Sequence, residues 1–193
     1  SPEIVTISDM FEKLSELQKA DRIEMLFMLY DIYIEISKAK ETFDEFHYWG
    51  EMLLSDFDDV DKYSFDTQQL FHNIYDLKEI DAGFSYLSPE QIEAIRRFWS
   101  SFLPIGNNDK KKDFAEMWEV LYPLYTELRN RLRTKGLAYE GMIFREVVEK
   151  VKADSDLEIP FEKVIFVGLN GHSKSEEKFL EYLHKRGIAD FYW

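Results

Sequence analysis

The acidic run at residues 55–61, which reads SDFDDVD, is the densest set of chemically capable side chains in this sequence. Clustered carboxylates are the ligands that Mg²⁺ and Ca²⁺ prefer, so a metal-dependent hydrolase is one interpretation of the run. The run lacks the alternating oxygen ligands, the turn glycine and the distal glutamate of a calcium-binding loop. On a helix, Asp58 and Asp61 share one face, whereas Asp56 and Asp59 share another. This spacing favours a solvated segment, or a bridge between helices, over a metal cage.

A second candidate is the turn GLNG at residues 168–171, which follows an apolar strand and precedes a helix. In that position a glycine-containing loop can cradle phosphate groups with its backbone amides. A phosphate-binding P-loop ends in Gly-Lys and then Ser or Thr, whereas the helix here is entered through Ser173, Lys174 and Ser175. The pattern favours a sharp strand-to-helix turn that is capped by serine.

The other side chains that commonly act in catalysis are scattered. The sequence contains no HExxH, no GxSxG and no cysteine. The four histidines lie far apart in the sequence, which favours structural or surface roles over metal binding. They are His47, His72, His172 and His184. We therefore predict no catalytic residue, no cofactor-binding residue and no metal ligand in this chain, and we expect no bound cofactor.

The formal net charge of −14 argues against bulk nucleic-acid binding, because such a chain repels a phosphate backbone at long range. A local basic patch at Arg129, Arg131 and Arg133 stays open as an alternative. Cations in the last turn of a helix also interact favourably with its dipole, so the patch is more typical of a solvated helix end. Several aromatic side chains could stack on bases, although their helical spacing is more typical of a core. These are Trp49, Trp99, Trp118, Tyr122 and Tyr125.

Composition sets the broad class of the protein. A chain of 193 residues with 45% hydrophobic residues is able to bury a core. No apolar run approaches the ~20 residues of a membrane span, and no signal peptide is recognisable. The absence of cysteine excludes disulfides and thiolate metal sites and fits an intracellular location. We expect a cytoplasmic protein without membrane partners.

Capping residues predict where most of the helices begin. Thr6 begins a short helix to about residue 18, and Asp21 begins a helix to about residue 38. Thr42 forms a capping box with Glu45 and begins a third helix. Further helices are predicted at residues 66–74 and, after the Ser88-Pro-Glu-Gln91 signal, at residues 88–103.

Two of these helices carry apolar stripes of the kind that faces a core. The stripe of the 21–38 helix consists of Ile23, Leu26, Phe27, Tyr30, Tyr33, Ile34 and Ser37. The stripe of the helix that begins at Thr42 consists of Phe46, Trp49, Leu53 and Phe57.

The second half of the chain predicts two helices and a terminal β-α-β unit. A long helix runs from Asp113 to Lys135, with a kink or break at Pro123 and a left-handed glycine cap at Gly136. The last helix of this run covers residues 138–152. The only convincing strand follows, with its centre at residues 164–166.

That strand begins a unit of two strands and one connecting helix. A helix from about Ser175 to Arg186, closed by Gly187, is followed by a second strand at residues 189–193. Such a unit normally belongs to a parallel sheet, and a sheet needs more strands than these. We therefore expect the chain to be a piece of a larger protein, and we expect much of the function to lie in the parts outside this chain.

Four segments together resemble the helicase-like N-terminal half of AddB-type proteins, particularly the Bacteroidetes members of the PD-(D/E)XK nuclease family. The segments are WGEMLLSDFDDVD at 49–61, DLKEI at 76–80, GLAYEGMIFR at 136–145, and FVGLN at 166–170 with Glu176 and Leu180. The resemblance extends from about Asp21 to Trp193.

The resemblance implies a superfamily 1 helicase fold, followed by a nuclease, in a protein that processes broken DNA ends for recombinational repair. It places residues 1–152 in a helical subdomain inserted into the first RecA-like domain, and residues 164–167 in a core strand of that domain. An active helicase carries a DExx carboxylate pair where this chain has Gly168, Leu169 and Asn170. The resemblance therefore implies an inactivated helicase half, with the Walker A and nuclease motifs outside this chain.

Taken together, these features predict a mainly α fold: an irregular helical domain at residues 1–155 and a β-α-β fragment of a RecA-like sheet at residues 156–193. The expected function is that of a non-catalytic structural or DNA-channel domain in a double-strand-break repair protein. Its expected partners are the rest of the parent polypeptide and a helicase-nuclease partner subunit, with DNA bound only through the full-length parent. A stand-alone helical protein-interaction module is the alternative.

Overall fold

The computed structural model describes residues 3–38, 40–64, 66–67, 110–153, 157–169 and 171–192, with the backbone alone described at residues 110–119. The predicted helix at residues 88–103 lies outside these ranges, as does the predicted 66–74 helix beyond Thr67. Within the described ranges the fold is mainly α, as predicted, with two small parallel sheets.

The first three helices begin where their capping residues predicted. Helix α1 spans Ile7–Leu14 after Thr6, α2 spans Arg22–Ser37 after Asp21, and α3 spans Phe43–Lys62 after Thr42. The Asp21 carboxylate accepts the amides of Ile23 at 2.9 Å and Glu24 at 3.1 Å. Thr6 and Asp21 satisfy amides that have no partner inside the helix, and Glu45 accepts the amide of Thr42 at 2.8 Å. These local bonds explain why the three starts are readable from the sequence.

Helix α1 ends four residues earlier than predicted, at Leu14 rather than near Gln18. Ser15 adopts an extended conformation, and its hydroxyl accepts the amide of Leu17 at 3.0 Å. The same hydroxyl donates to the carboxylate of Glu146 in a later helix. A tertiary contact therefore stops a helix that sequence periodicity alone would continue.

The segment freed by this early end forms a strand that the sequence did not predict. Strand β1 at Gln18–Lys19 pairs in parallel with a strand at Leu137–Ala138. The amide of Gln18 donates to the carbonyl of Gly136 at 2.9 Å, and Ala20 donates to Ala138 at 2.8 Å. A two-residue strand has no periodicity to detect, so only the approach of the two segments creates it.

The buried face of α2 is rotated from the predicted stripe. The buried side chains are Met25, Leu26, Met28, Leu29 and Ile32. Ile23 is 64% exposed and Phe27 is 49% exposed, so the prediction that these two side chains face the core was wrong. Apolar residues surround most of this helix, and packing against α3 and the helix at Lys110–Thr134 selects the face that becomes core.

The long helix, α4, spans Lys110–Thr134 and runs uninterrupted through Pro123, so the predicted break does not occur. Proline removes one backbone hydrogen bond from a helix. Here the flanking side chains Leu121, Leu124, Tyr125 and Leu128 are almost fully buried and hold both halves against the core. The helix is closed by Gly136 in the left-handed region, with φ of 69°, as predicted.

The remaining elements follow in order. Strand β2 is Leu137–Ala138, so helix α5 at Glu140–Lys152 begins two residues later than predicted. Strand β3 spans Val164–Val167, helix α6 spans Lys174–Lys185 and strand β4 spans Ala189–Tyr192. Strands β3 and β4 pair in parallel, with Val164 opposite Ala189 and Val167 opposite Tyr192. The predicted β-α-β unit is thus confirmed.

A core of aromatic and aliphatic side chains extends from the helices into the β-α-β unit. The centroid of the Phe11 ring lies 4.1 Å from that of the Phe144 ring and 4.7 Å from that of the Phe179 ring of α6. Phe166 and Ala189 bury the inner face of the two-stranded sheet. Its outer face leaves Ile165, Val167 and Tyr192 more than half exposed. The domain boundary near residue 155 stays a prediction.

Candidate functional site

Asp61 lies at the centre of the most elaborate polar arrangement in the described residues. Its side chain is fully buried at the C-terminal end of α3. Oδ1 accepts a hydrogen bond from the hydroxyl of Tyr125 on α4 at 2.6 Å, and Oδ2 accepts one from the hydroxyl of Tyr139 before α5 at 2.5 Å. A buried carboxylate is costly unless it is paired and hydrogen-bonded, and both oxygens meet that condition here.

Two arginines supply the opposing charge. Nε of Arg145 on α5 lies 2.8 Å from Asp61 Oδ1, and its Nη2 donates to the carbonyl of Val60 at 3.2 Å. Nη1 of Arg129 on α4 lies 3.6 Å from Oδ1 and donates to the Tyr125 hydroxyl at 2.5 Å. We call these five residues, Asp61, Tyr125, Arg129, Tyr139 and Arg145, the Asp61 network. The network ties α3, α4 and α5 together at one buried point.

Three members of the network, Tyr125, Tyr139 and Arg129, have pKa values that are raised from their ordinary values. Burial, followed by the charge of Asp61, raises the pKa of both Tyr125 and Tyr139 above the ordinary phenol value, so both hydroxyls remain donors. Burial opposes the charge of Arg129, but the Asp61 carboxylate outweighs it and raises the pKa of the guanidinium. None of these three groups titrates near neutral pH, so the arrangement suits a structural clamp better than proton transfer.

A second polar cluster lies one turn earlier on α3. Asp58 Oδ1 accepts the amide of Gly141 at 2.6 Å, in the first turn of α5, whose own N-cap residue makes no side-chain cap. Nζ of Lys62 lies 2.7 Å from Asp58 Oδ2 and 2.5 Å from Glu140 Oε2. Burial opposes the charge of Lys62, but the charge of Asp58 and its hydrogen bonds with Asp58 and Glu140 raise its pKa overall. Asp58 therefore caps a neighbouring helix.

The acidic run thus divides as its helical spacing indicated. Asp58 and Asp61 share the face that bridges α3 to α4 and α5, whereas Asp56 and Asp59 are half-buried elsewhere on the helix. Within the described ranges, no three His, Asp or Glu side chains come together in a geometry that would hold a metal ion.

Asp56 carries a testable pH dependence. Its Oδ2 atom is buried and accepts no hydrogen bond. Burial, and then the charge of Asp59, raises the pKa of Asp56 from 3.8 to about 7. Between about pH 4 and pH 7 the folded state therefore keeps a proton on Asp56 that the unfolded state releases. The free energy of unfolding falls as pH rises through that window.

We expect Asp56→Asn to stabilise the protein on the order of 2 kcal/mol at pH 8 and to change little at pH 4.5. This value is below the full shift because water screens a half-buried carboxyl. Urea unfolding at both pH values measures it. The exposed carboxylate of Asp44 provides the control, since Asp44→Asn should have the same small effect at both. Equal effects of Asp56→Asn at the two pH values would contradict the assignment.

The basic patch at the end of α4 is largely neutralised. Arg129 belongs to the Asp61 network, and Arg131 forms ion pairs with Glu127 at 2.9 Å and Glu35 at 2.5 Å. Arg133 is exposed and lies 4.0 Å from Glu149. Only Arg133 fits the expected solvated helix end, and neither Arg129 nor Arg131 presents an unpaired charge to a phosphate backbone.

The other candidates are placed as follows. His47 is exposed and meets the Phe43 ring edge-on, and His184 meets Phe191 in the same way. Tyr125 is core, whereas Trp49 is half-buried and packs on Tyr33 and Phe46. His72, Trp99 and the Trp118 side chain lie outside the described residues.

The turn after β3 carries a serine cap. Gly168 and Gly171 both adopt positive φ, at 70° and 64°. Ser173 and Glu176 form a reciprocal capping box at the start of α6, in which the Ser173 amide donates to Glu176 Oε2 at 2.6 Å. The buried hydroxyl of Ser175 lies 2.8 Å from that of Ser64 at the end of α3. The turn joins β3 to α6 and anchors α6 to α3.

Sequence reasoning missed the partners of Asp61. One signal was present: Leu53, Phe57 and Asp61 are spaced by four, so a charged residue continues a buried apolar stripe of α3. A carboxylate in that position must find donors. No local pattern identified Tyr139, Arg129 or Arg145 as those donors, because they arrive from other helices.

Among the helices that the structure describes, none combines the length and the apolar character that a bilayer crossing requires. Comparisons of the chain with protein-family models, with curated proteins and with solved structures give no match.

Proposed function

We propose that this chain acts as a non-catalytic structural domain of a helicase/nuclease-type protein that repairs DNA double-strand breaks. The assignment to repair rests on the resemblance of the four sequence segments to AddB-type proteins. The structural role rests on what the residues of those segments do. Asp58 and Asp61 of the first segment bond to Tyr139, Gly141 and Arg145 of the third. The polar residues of these two segments are engaged with one another, which suits a scaffold.

The exposed outer face of the small sheet is the observation that best supports a role for this chain within a larger assembly. Ile165, Val167 and Tyr192 are 59%, 73% and 59% exposed on one face of two parallel strands. Strands β3 and β4 pair only with each other among the described residues, and a two-stranded sheet is marginal by itself. Adjacent apolar side chains on such a face suit contact with further protein. A stand-alone interaction module would use the same face, and it is the second candidate.

A genetic experiment tests the proposal. Cells of the host that lack the gene should be hypersensitive to agents that break both DNA strands, and the wild-type gene should restore resistance. Ile165→Glu, which places a charge on the exposed face without entering the core, should fail to restore it. Asp44→Asn, an exposed change on α3, should restore it fully.

Normal resistance of the deletion strain would contradict the repair role. Restoration by Ile165→Glu would contradict the role of the sheet face. The sequence on either side of this chain in the gene separates the two candidates. A Walker A motif upstream and a PD-(D/E)XK motif downstream support the repair protein, and their absence supports the stand-alone module.

A further inference from the structure

An open groove of about 530 Å³ runs between α2 and α4, on a side of the molecule formed by neither the Asp61 network nor the β3–β4 sheet. Phe27, Met28 and Asp31 of α2 line one wall. Asn130 and Arg131 of α4, together with Lys135 directly after it, line the other. We call this surface the α2–α4 groove.

Large apolar side chains on α2 are exposed to solvent at this wall. Phe27 is 49% exposed, although one face of its ring stacks on Phe43 at 4.3 Å. Ile23, one turn earlier on the same helix, is 64% exposed. Residues four apart lie beside each other on a helix, so these two side chains form one apolar ridge on α2, of which Phe27 lines the groove.

Among the described residues, the cations of the groove form ion pairs, whereas two other polar side chains of the groove do not. Lys135 pairs with Glu24 at 2.9 Å, and Arg131 pairs with Glu35 and Glu127 across and along the groove. These pairs leave the lining cations occupied. The side chains of Asp31 and Asn130, one on each wall, have no hydrogen bond or ion pair to any described residue. The groove therefore presents oxygen acceptors of both walls beside an apolar ridge.

We infer that the α2–α4 groove binds an amphipathic helix of a partner protein that presents an arginine between two apolar side chains. A groove between two helices suits a third helix whose anchors are spaced by three or four residues. Asp31 and the Asn130 carbonyl are acceptors for the five N–H donors of a guanidinium, and the Phe27 ring offers a cation–π contact. The net charge of −14 attracts a basic partner and opposes a second copy of this chain.

The experiment uses synthetic alanine-based helical peptides as probes. The test peptide carries Leu, Arg and Leu on one face at helical spacing. One control peptide replaces the Arg with Glu, and the other replaces both Leu residues with Ser. Amide chemical shifts of the isotope-labelled protein are followed during titration with each. We expect saturable changes confined to residues 23–31 and 127–135 with the test peptide only.

Two variants and a matched control locate the binding energy. Asp31→Asn should weaken binding about threefold to fivefold, as the loss of an exposed ion pair does. Phe27→Ala should weaken it about tenfold, as the loss of an aromatic anchor does. Asp44→Asn removes an equally exposed carboxylate outside the groove and should leave affinity unchanged. Both variant positions are surface-exposed, and unchanged amide spectra away from the groove verify their folding.

Three results would overturn the inference. These are equal affinity of Asp31→Asn and Asp44→Asn, shift changes centred on the β3–β4 face instead of the groove, and equal binding of the Glu-containing peptide. Absence of saturable binding up to millimolar peptide would do the same.

Discussion

Replacing Asp61 with asparagine is expected to destabilise the fold by about 3 kcal/mol or more. The change nearly preserves the volume of the side chain but removes the carboxylate that pairs with both Arg129 and Arg145. It also replaces an acceptor oxygen with a donor, so the hydroxyl of either Tyr125 or Tyr139 loses the acceptor that Asp61 provides. Both partly buried guanidiniums then lose a charge partner, and that cost exceeds the value of any single hydrogen bond. Urea unfolding measures the difference.

Asp44→Asn provides the control for this experiment, because Asp44 is exposed in the first turn of the same helix. It should lose no more than about 1 kcal/mol, the value of a charge at a helix end. A double-mutant cycle with Arg145→Met should show a coupling of about 1–3 kcal/mol, since the second change removes one of the two cations that pair with Asp61. A loss below about 1 kcal/mol for Asp61→Asn, or strict additivity in the cycle, would show that the network does not clamp the three helices.

Gly141→Ala is expected to be the second severe substitution, with a loss of about 3 kcal/mol. A Cβ atom at this position would lie 2.2 Å from the backbone carbonyl oxygen of Asp58 and 3.0 Å from its carbonyl carbon. Backbone atoms of a packed helix cannot rotate away as a side chain does, so α3 and α5 must separate. That separation also lengthens the hydrogen bond from the Gly141 amide to Asp58.

Gly136→Ala is the matched comparison for Gly141→Ala. Nothing lies within 4 Å of a Cβ at Gly136, but its φ of 69° is unfavourable for alanine. We expect a conformational cost of about 1–2 kcal/mol without steric overlap. Thermal unfolding of both variants distinguishes the two mechanisms. A Gly136→Ala loss that equals or exceeds the Gly141→Ala loss would contradict the close approach of α3 and α5.

Local chemistry made much of this fold readable from the sequence. Thr6, Asp21, Thr42 and Ser173 mark helix starts because a cap bonds amides two or three residues away, and Gly136 marks an end because its backbone adopts a left-handed conformation. The β-branched run at Val164–Val167 likewise predicted a strand. In the candidate site, the same local reasoning placed Asp58 and Asp61 on one helical face.

The tertiary structure decided which of these local options was used. The pairing of Gln18 with Leu137, the rotation of the buried face of α2, and the continuity of α4 through Pro123 all depend on segments far apart in sequence. The Asp61 network depends on them most, because its donors come from residues 64, 68, 78 and 84 positions later in the chain. The sequence by itself determined where most helices start and which residues have polar groups to satisfy. Which groups meet was decided only by packing, because apolar burial is non-directional and many arrangements of the same helices would provide it.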